Sequence, residues 1–368
     1  MILCANPSAA VQKHRVAIEA AIQGVLDGGG YILGQQVAAF EREFAAFCET
    51  SEAVGVSSGT DGLALALAAL GIGAGDEVIT VSHTAVATVS AIVQVGAIPV
   101  LVDINPYTYT MDPLALEPAI GSRTKAIIPV HLYGHPVEMG LIMDVAERYG
   151  IAVIEDCSQA HGARWQGRRV GSIGHVGVFS CYPTKNLGAI GDAGVVVTAD
   201  PALAKSLREL REYGWRERYN SAVHGVNNRL DELQAAILRV KLQHLSVDNE
   251  RRRHLAEKYS AALTDLPIKL PKQTAEAEPV YHLYVVATPD RETLKSQLAD
   301  RDIGCLVHYP FPVHLQKGYC DRVRCPSSLP ITEKAAQSVL SLPLFPELAE
   351  AEQAKVIAAL REAISTCN

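Results

Sequence analysis

The sequence predicts an α/β fold in which helices sandwich a large, mainly parallel sheet, followed by a smaller α+β lobe. Three observations carry this. Between residues 53 and 198, short β-branched runs alternate with longer helical patterns, as in successive βα units. Those runs are continuously apolar, as strands covered on both faces are. After about residue 230 the alternation gives way to two long helices and proline-punctuated segments.

The elements follow in order. Ala53–Val56 reads as a strand and Asp61–Leu70 as a helix; Val78–Val81 is a strand followed by a helical Ala85–Val95. Ile98–Val102, Ala126–Val130 and Ile151–Ile154 are further strands, with "PVEMGLIMDVAERYG" as the helix before the last. Val176–Phe179 and Gly194–Thr198 complete the series. Beyond them, Leu230–Leu245 and Asn249–Leu263 are helical, a strand ends at Val286, and Arg291–Arg301 is a helix. "GCLVHYPFPVH" reads as strand and loop, and Ala349–Ser365 as a closing helix. The expected division is a large domain over residues 1–245 and a small one over 246–368.

A chain of 368 residues is long enough for two such units. Its net charge of −7 offers no basic stripe for nucleic acid. The tight run Arg251-Arg252-Arg253 reads as a solvated helix face. The eight cysteines lack the paired spacing of a zinc site, which leaves reduced thiols and no metal as the expectation. "MILCANPSAA" carries no secretory pattern, and no long apolar run marks a membrane span, so a cytoplasmic location is expected.

In open α/β sheets ligands bind beyond the carboxyl ends of the strands, so the loops there hold the candidate residues. "SSGTDGLALAL" joins a strand to a helix, with Gly59 and Gly62 permitting close approach and Ser58 and Thr60 supplying hydroxyls. Such a helix start binds phosphate through free N–H groups; simple capping by Thr60 is the plain alternative. In "IAVIEDCSQAHGA" an apolar strand ends in Glu155-Asp156, with Gln159 and His161 following. Alternation sends Asp156 to the face opposite Glu155. A carboxylate placed there needs a partner: an arginine, a metal or a protonated ring nitrogen. His161 is expected to be a structural hydrogen-bonding residue rather than a base.

Lys185, in "CYPTKNLGAIGDAG", follows another strand, with Ser180 and Thr184 nearby. A lone loop lysine is ordinarily a surface charge. Joined to a phosphate cradle and a buried carboxylate, it fits pyridoxal 5′-phosphate. The lysine would form a Schiff base, and the aspartate would keep the pyridine nitrogen protonated.

Taken together, "SSGTDGLALAL", "IEDCSQAHGA", "YPTKNLGAIGDAG" and "VNNRLDELQAAIL" resemble the DegT/DnrJ/EryC1/StrS family of sugar aminotransferases. The likeness runs from "GGGYILGQQVAAFEREFAAF" to "HYPFPVHLQ". It implies the aspartate aminotransferase-like fold, fold type I of the pyridoxal phosphate enzymes. It further implies Lys185 as the cofactor's anchor, Asp156 on the pyridinium nitrogen and Gln159 on the phenolic oxygen. Gly59, Thr60 and Ser180 would bind the phosphate, with Ser58 also among the cofactor-binding residues, and His83 would stack on the ring. Asn227 would reach the cofactor of a partner subunit, making the enzyme a homodimer. Because Val226 replaces the family's usual aromatic residue, Asn228 stays open as a substitute.

Arg229 is expected to meet either an acid carboxylate or an intersubunit or salt-bridge partner. Tyr31, His308, Tyr309 and His314 match substrate-side positions. The implied reaction takes an amino group from L-glutamate, through the pyridoxamine phosphate form, to a nucleotide-linked keto-sugar. C3 of a dTDP-3-keto-6-deoxyhexose is the expected acceptor. C4 amination is the alternative, as is a non-transaminating relative that acts as a sugar dehydratase or a cofactor-binding regulator.

Overall fold

A computed structural model describes residues 1–365; Cys367, counted among the expected thiols, lies outside them. Seven strands form one sheet: β1 Glu52–Val56, β2 Glu77–Val81, β3 Ile98–Val102, β4 Thr124–Ile127, β5 Ala152–Asp156, β6 Val176–Ser180 and β7 Gly194–Thr198. Their spatial order is β1-β7-β6-β5-β4-β2-β3. Strands β2 to β6 pair in parallel, and β7 runs antiparallel between β6 and β1. The expected mainly parallel sheet is therefore present with one reversed strand. Strand β4 stops at Ile127, short of the expected Val130. Pro129 has no N–H for the ladder, and Val130 makes only an isolated bridge to Asp156.

Helix Gly59–Ala69 shows how sequence becomes position. Ser58 Oγ caps it by accepting from the Asp61 N–H at 3.1 Å. Its Leu63–Leu67 run is buried throughout, as a helix apolar on all sides must be, against Val56, Val178 and Val196 of the sheet. The helix start is thereby pinned at the carboxyl end of β1.

A second core gathers Leu255, Tyr259, Tyr284, Leu298, Leu340 and Leu360 around an antiparallel pair, β8 Tyr284–Ala287 and β9 Val339–Leu342. Helix Leu245–Leu263 joins the two cores, since Leu245 packs with the sheet-side cluster and Tyr259 with the second. The chain's first residues return to this second core, where Ile2 bridges Ile303.

Two expectations are corrected here. "GCLVHYPFPVH" forms no strand beyond one bridge from Leu306 to Ser341, because Pro310 and Pro312 remove ladder donors. The arginine run is not a uniformly solvated face. Helical periodicity turns Arg252 inward, where its guanidinium donates to the carbonyls of Tyr281, His282 and Leu344. Only Arg251 and Arg253 lie at the surface side, against Glu350 and Glu250.

Glu155 anchors the middle of the sheet. Its fully buried carboxylate accepts from the N–H groups of Gly171, Ile173 and Gly174 at 2.8, 2.8 and 2.7 Å, and from His131 Nε2 at 3.0 Å. Burial alone would raise its pKa, but His131 and the amides outweigh it and hold the carboxyl below its ordinary value. Cys157 lies close by, but burial keeps its thiol protonated, so the trio reads as a core hydrogen-bond cluster. Glu155→Gln is expected to cost about 2–3 kcal/mol, because an amide NH2 would face backbone donors; urea unfolding measures it. Among the described residues no helix is long and apolar enough to cross a membrane.

Candidate active site

The carboxyl ends of β1, β5 and β6 converge. Gly59 lies so close to two of these loops that a Cβ there would sit 2.7 Å from Ser180 Cβ and 3.1 Å from Ser158 Oγ. The Gly59 and Thr60 N–H groups precede the first intrahelical bond, and Ser58 caps Asp61 rather than either of them. Two amides at the positive end of the helix dipole thus have no intrahelical acceptor and lie close to Ser158 and Ser180. Ser57 and Ser58 both donate to Asp61 Oδ2, at 2.7 and 2.9 Å, which locks the turn.

Asp156 ends β5 on the face away from Glu155, as alternation requires. No arginine meets it. Its Oδ2 accepts from Thr88 Oγ1 at 2.8 Å and its Oδ1 from the Ser158 N–H at 3.1 Å. Thr88 is in turn 2.9 Å from Thr84 Oγ1, one helical turn earlier. Lys185 approaches the same carboxylate from the loop after β6. Burial pulls its pKa down to about 8, and the Asp156 charge works against that fall. The lysine is half-buried, and its pKa sits far closer to neutrality than a solvated amine's.

His83, Tyr133, Gln159 and Tyr309 form a connected hydrogen-bonded group. His83 is buried, its Nε2 2.7 Å from Tyr133 Oη, and burial holds its pKa down at about 4. Its Nδ1 is buried without a partner. Gln159 Oε1 accepts from the Tyr133 N–H at 2.7 Å, and its Nε2 donates to Tyr309 Oη at 2.9 Å. His308 Nδ1 is 2.8 Å from Ser341 Oγ, so the loop at 308–309 is tied to β9 as well as to Gln159. His314 is held through Nδ1, 2.7 Å from Ser82 Oγ beside His83.

The remaining expected residues are not brought in by this chain alone. Asn227 is exposed, whereas Asn228 is buried and its Oδ1 accepts from the Ser57 N–H at 2.9 Å. Arg229 pairs with Glu212 at 3.6 Å, matching the salt-bridge alternative. Tyr31 is exposed, with a local bond from its hydroxyl to Leu26 O at 3.4 Å. Its loop is fixed by Glu232, which accepts from the Gly34, Gln36 and Val37 amides.

The His161 ring packs against Phe44 and Phe179, and burial lowers its pKa to about 3, so it is not poised as a base. The structural bond at this residue comes through its carbonyl, which accepts from Asn249 Nδ2 at 2.7 Å. Thr84, Thr88, Tyr133 and Ser158 went unremarked as site residues in the sequence. The i, i+4 threonines of "SHTAVATVSAI" and the serine two places after Asp156 were the available signals.

These residues fit pyridoxal phosphate. Only glycine fits the close approach of residue 59 to Ser158 and Ser180, the unpaired amides there suit a phosphate, Asp156 suits a protonated ring nitrogen, and Lys185 is the half-buried amine whose charge Asp156 feels. The profile of the DegT/DnrJ/EryC1/StrS aminotransferase family matches residues 12–361. A Streptomyces venezuelae protein named dTDP-3-amino-3,4,6-trideoxy-alpha-D-glucose transaminase is 50% identical over 355 residues, 96% of this chain and 94% of its own. A crystal structure of S. venezuelae DesV in complex with a ketimine intermediate has a TM-score of 0.96 and 49% identity, covering 98% of both chains. Bacillus subtilis ntdA with bound cofactor PMP has a TM-score of 0.89 and 32% identity, covering 96% of this chain and 82% of its own. Matched along nearly its whole length, this chain belongs to the DegT/DnrJ/EryC1/StrS aminotransferase family and is an enzyme that works with pyridoxal phosphate.

Proposed function

We propose that this enzyme moves the amino group of L-glutamate to C3 of a dTDP-linked 3-keto-6-deoxyhexose. The observation that carries the reading is the convergence of Lys185 and Asp156 beyond the Gly59 cradle. The substrate class is supported by the identity to the dTDP-3-amino-sugar transaminase.

Bound pyridoxal phosphate supplies an electron sink for the bonds at the amino-bearing carbon. Lys185 holds the cofactor between turnovers. Once displaced, its Nζ takes the proton from the donor's α-carbon and returns it across the site, an effective base because it is tethered and readily neutral. Asp156, oriented by Thr88 Oγ1 and the Ser158 N–H, would pair with a protonated ring nitrogen. The amides of Gly59 and Thr60, with Ser180, hold the phosphate. Gln159 keeps a second N–H free for the phenolic oxygen, and His83 covers the ring.

A second copy of the chain would complete the site with Asn227, since Asn228 is committed to Ser57 within its own chain. Asn227→Ala is then expected to weaken cofactor binding about tenfold with little change in unfolding, while Asn228→Ala destabilises the subunit. Gly59→Ala is expected to weaken cofactor binding by about tenfold or more, as overpacking costs about 1–3 kcal/mol. Spectrophotometric titration of the cofactor-free protein measures both.

The direct test follows amino transfer from glutamate to a panel of dTDP- and UDP-linked sugars carrying the keto group at C3 or C4. Turnover of the dTDP-linked 3-keto sugar is expected. Turnover confined to 4-keto sugars, or none with any, would overturn the proposal.

A further inference from the structure

We propose that Tyr133 is a positioning residue for this reaction, one that fixes where the protons of His83 lie and which way the Gln159 amide faces. The assignment follows from hydrogen-bond accounting. Tyr133 Oη contacts two groups, His83 Nε2 at 2.7 Å and the His308 carbonyl oxygen. A carbonyl only accepts, so the single phenolic proton goes to His308 O. Tyr133 Oη must then accept from His83, which places the imidazole proton on Nε2 and leaves Nδ1 as a bare lone pair. That nitrogen is buried and has no hydrogen-bond partner among the described residues.

The backbone of the same residue sets the second group. The Tyr133 N–H donates to Gln159 at 2.7 Å, which identifies the acceptor atom as Oε1 and turns the NH2 toward Tyr309 Oη, 2.9 Å away. Tyr309 therefore accepts from Gln159 and keeps its own proton to give. One tyrosine thus sets the hydrogen-bonding polarity of His83 and Gln159, which the proposed function uses, and through Gln159 that of Tyr309.

The surroundings hold Tyr133 to this task. It adopts the left-handed region at φ 60°, a strained backbone for a bulky side chain. Gly134 follows at φ 87°, where a Cβ would meet His282 N at 2.8 Å and Tyr281 N at 3.1 Å. The corner is clamped by the Val280 N–H to Gly134 O at 3.0 Å and the Leu283 N–H to Tyr133 O at 3.3 Å. Burial raises the phenol's pKa well above its ordinary value, so the proton it donates stays in place.

This inference rests on the aminotransferase reading, and its first test is independent of activity. Neutron diffraction from holoenzyme crystals in D2O should show deuterium on His83 Nε2, none on Nδ1, and the Tyr133 deuteron directed at His308 O. Deuterium on Nδ1, or a Tyr133 deuteron aimed at His83, would overturn it whatever the substrate proves to be. The second test is Tyr133→Phe. Its kcat is expected to fall about tenfold, the effect of one hydrogen bond, with KM for glutamate within about twofold. The pH titration of the bound cofactor's visible band should also shift, as loss of packing alone would not cause. An unchanged kcat with an unchanged titration would refute the role. Should the variant fail to fold, the neutron map decides alone.

Discussion

Lys185→Ala is expected to lower turnover by at least about 10⁴-fold and to remove the visible absorbance of a cofactor joined to a lysine amine. The size of the loss reflects two separate tasks on one nitrogen, covalent anchoring and proton transfer. Both need the neutral amine, and the structure provides it. With a pKa of about 8, roughly a quarter of Lys185 is neutral at pH 7.5, against roughly a thousandth for a solvated lysine of pKa about 10.5.

The sign of the shift follows from its causes. Burial disfavours the charged form and dominates, while Asp156 recovers part of the charge. The folded protein is therefore strained by the protonated lysine at low pH, and that strain is relieved as pH rises from about 8 toward 10.5. A second buried lysine supplies the control. Lys241 donates to the Gly188 carbonyl and its pKa is also lowered by burial, but it is fixed within the loop's support rather than facing Asp156. Lys241→Ala should lower the unfolding midpoint and keep the visible band. If Lys185→Ala kept both the band and multiple turnover, the assignment of the anchor would be wrong.

The parts of the site that were legible from sequence are those written in local pattern. A β-branched run announces a strand, and the residue after it stands at the sheet's carboxyl edge; that placed Asp156, Lys185 and the Gly59 turn. What sequence could not show depends on contacts between distant segments. Thr88 matters because it meets Asp156, 68 residues away, and nothing in its own helix marks that. Tyr133 reads as a core aromatic until His83, Gln159 and His308 surround it. Strand β9 is four residues long and pairs with β8 across more than fifty intervening positions, so periodicity alone could not find it. Arg252 was misread because its partners are backbone carbonyls, which leave no charge pattern. Asn227 and Asn228 are adjacent and alike in sequence, and differ only in that the distant Ser57 turn occupies Asn228.

Asp156→Asn is expected to lower kcat about 10³-fold, close to 4 kcal/mol at about 1.4 kcal/mol per decade, with the unfolding temperature changed by only a few degrees. The contrast between those two readouts carries the argument. Asparagine fits the site: its Oδ1 can accept from the Ser158 N–H, and its NH2 can donate to Thr88 Oγ1. Thr88 would then turn its own proton toward Thr84, a reversal that the 2.9 Å threonine pair permits. No buried group is orphaned, so folding is nearly unaffected. The negative charge is lost, however, and a neutral amide does not keep a ring nitrogen protonated in a site that excludes water. Thr88→Val should act in the same direction but more weakly, by about tenfold, since it removes one hydrogen bond to the carboxylate and leaves the charge. An Asp156→Asn enzyme retaining more than about a tenth of its kcat would show that the carboxylate only caps its own loop, through the Ser158 N–H, and takes no part in the chemistry.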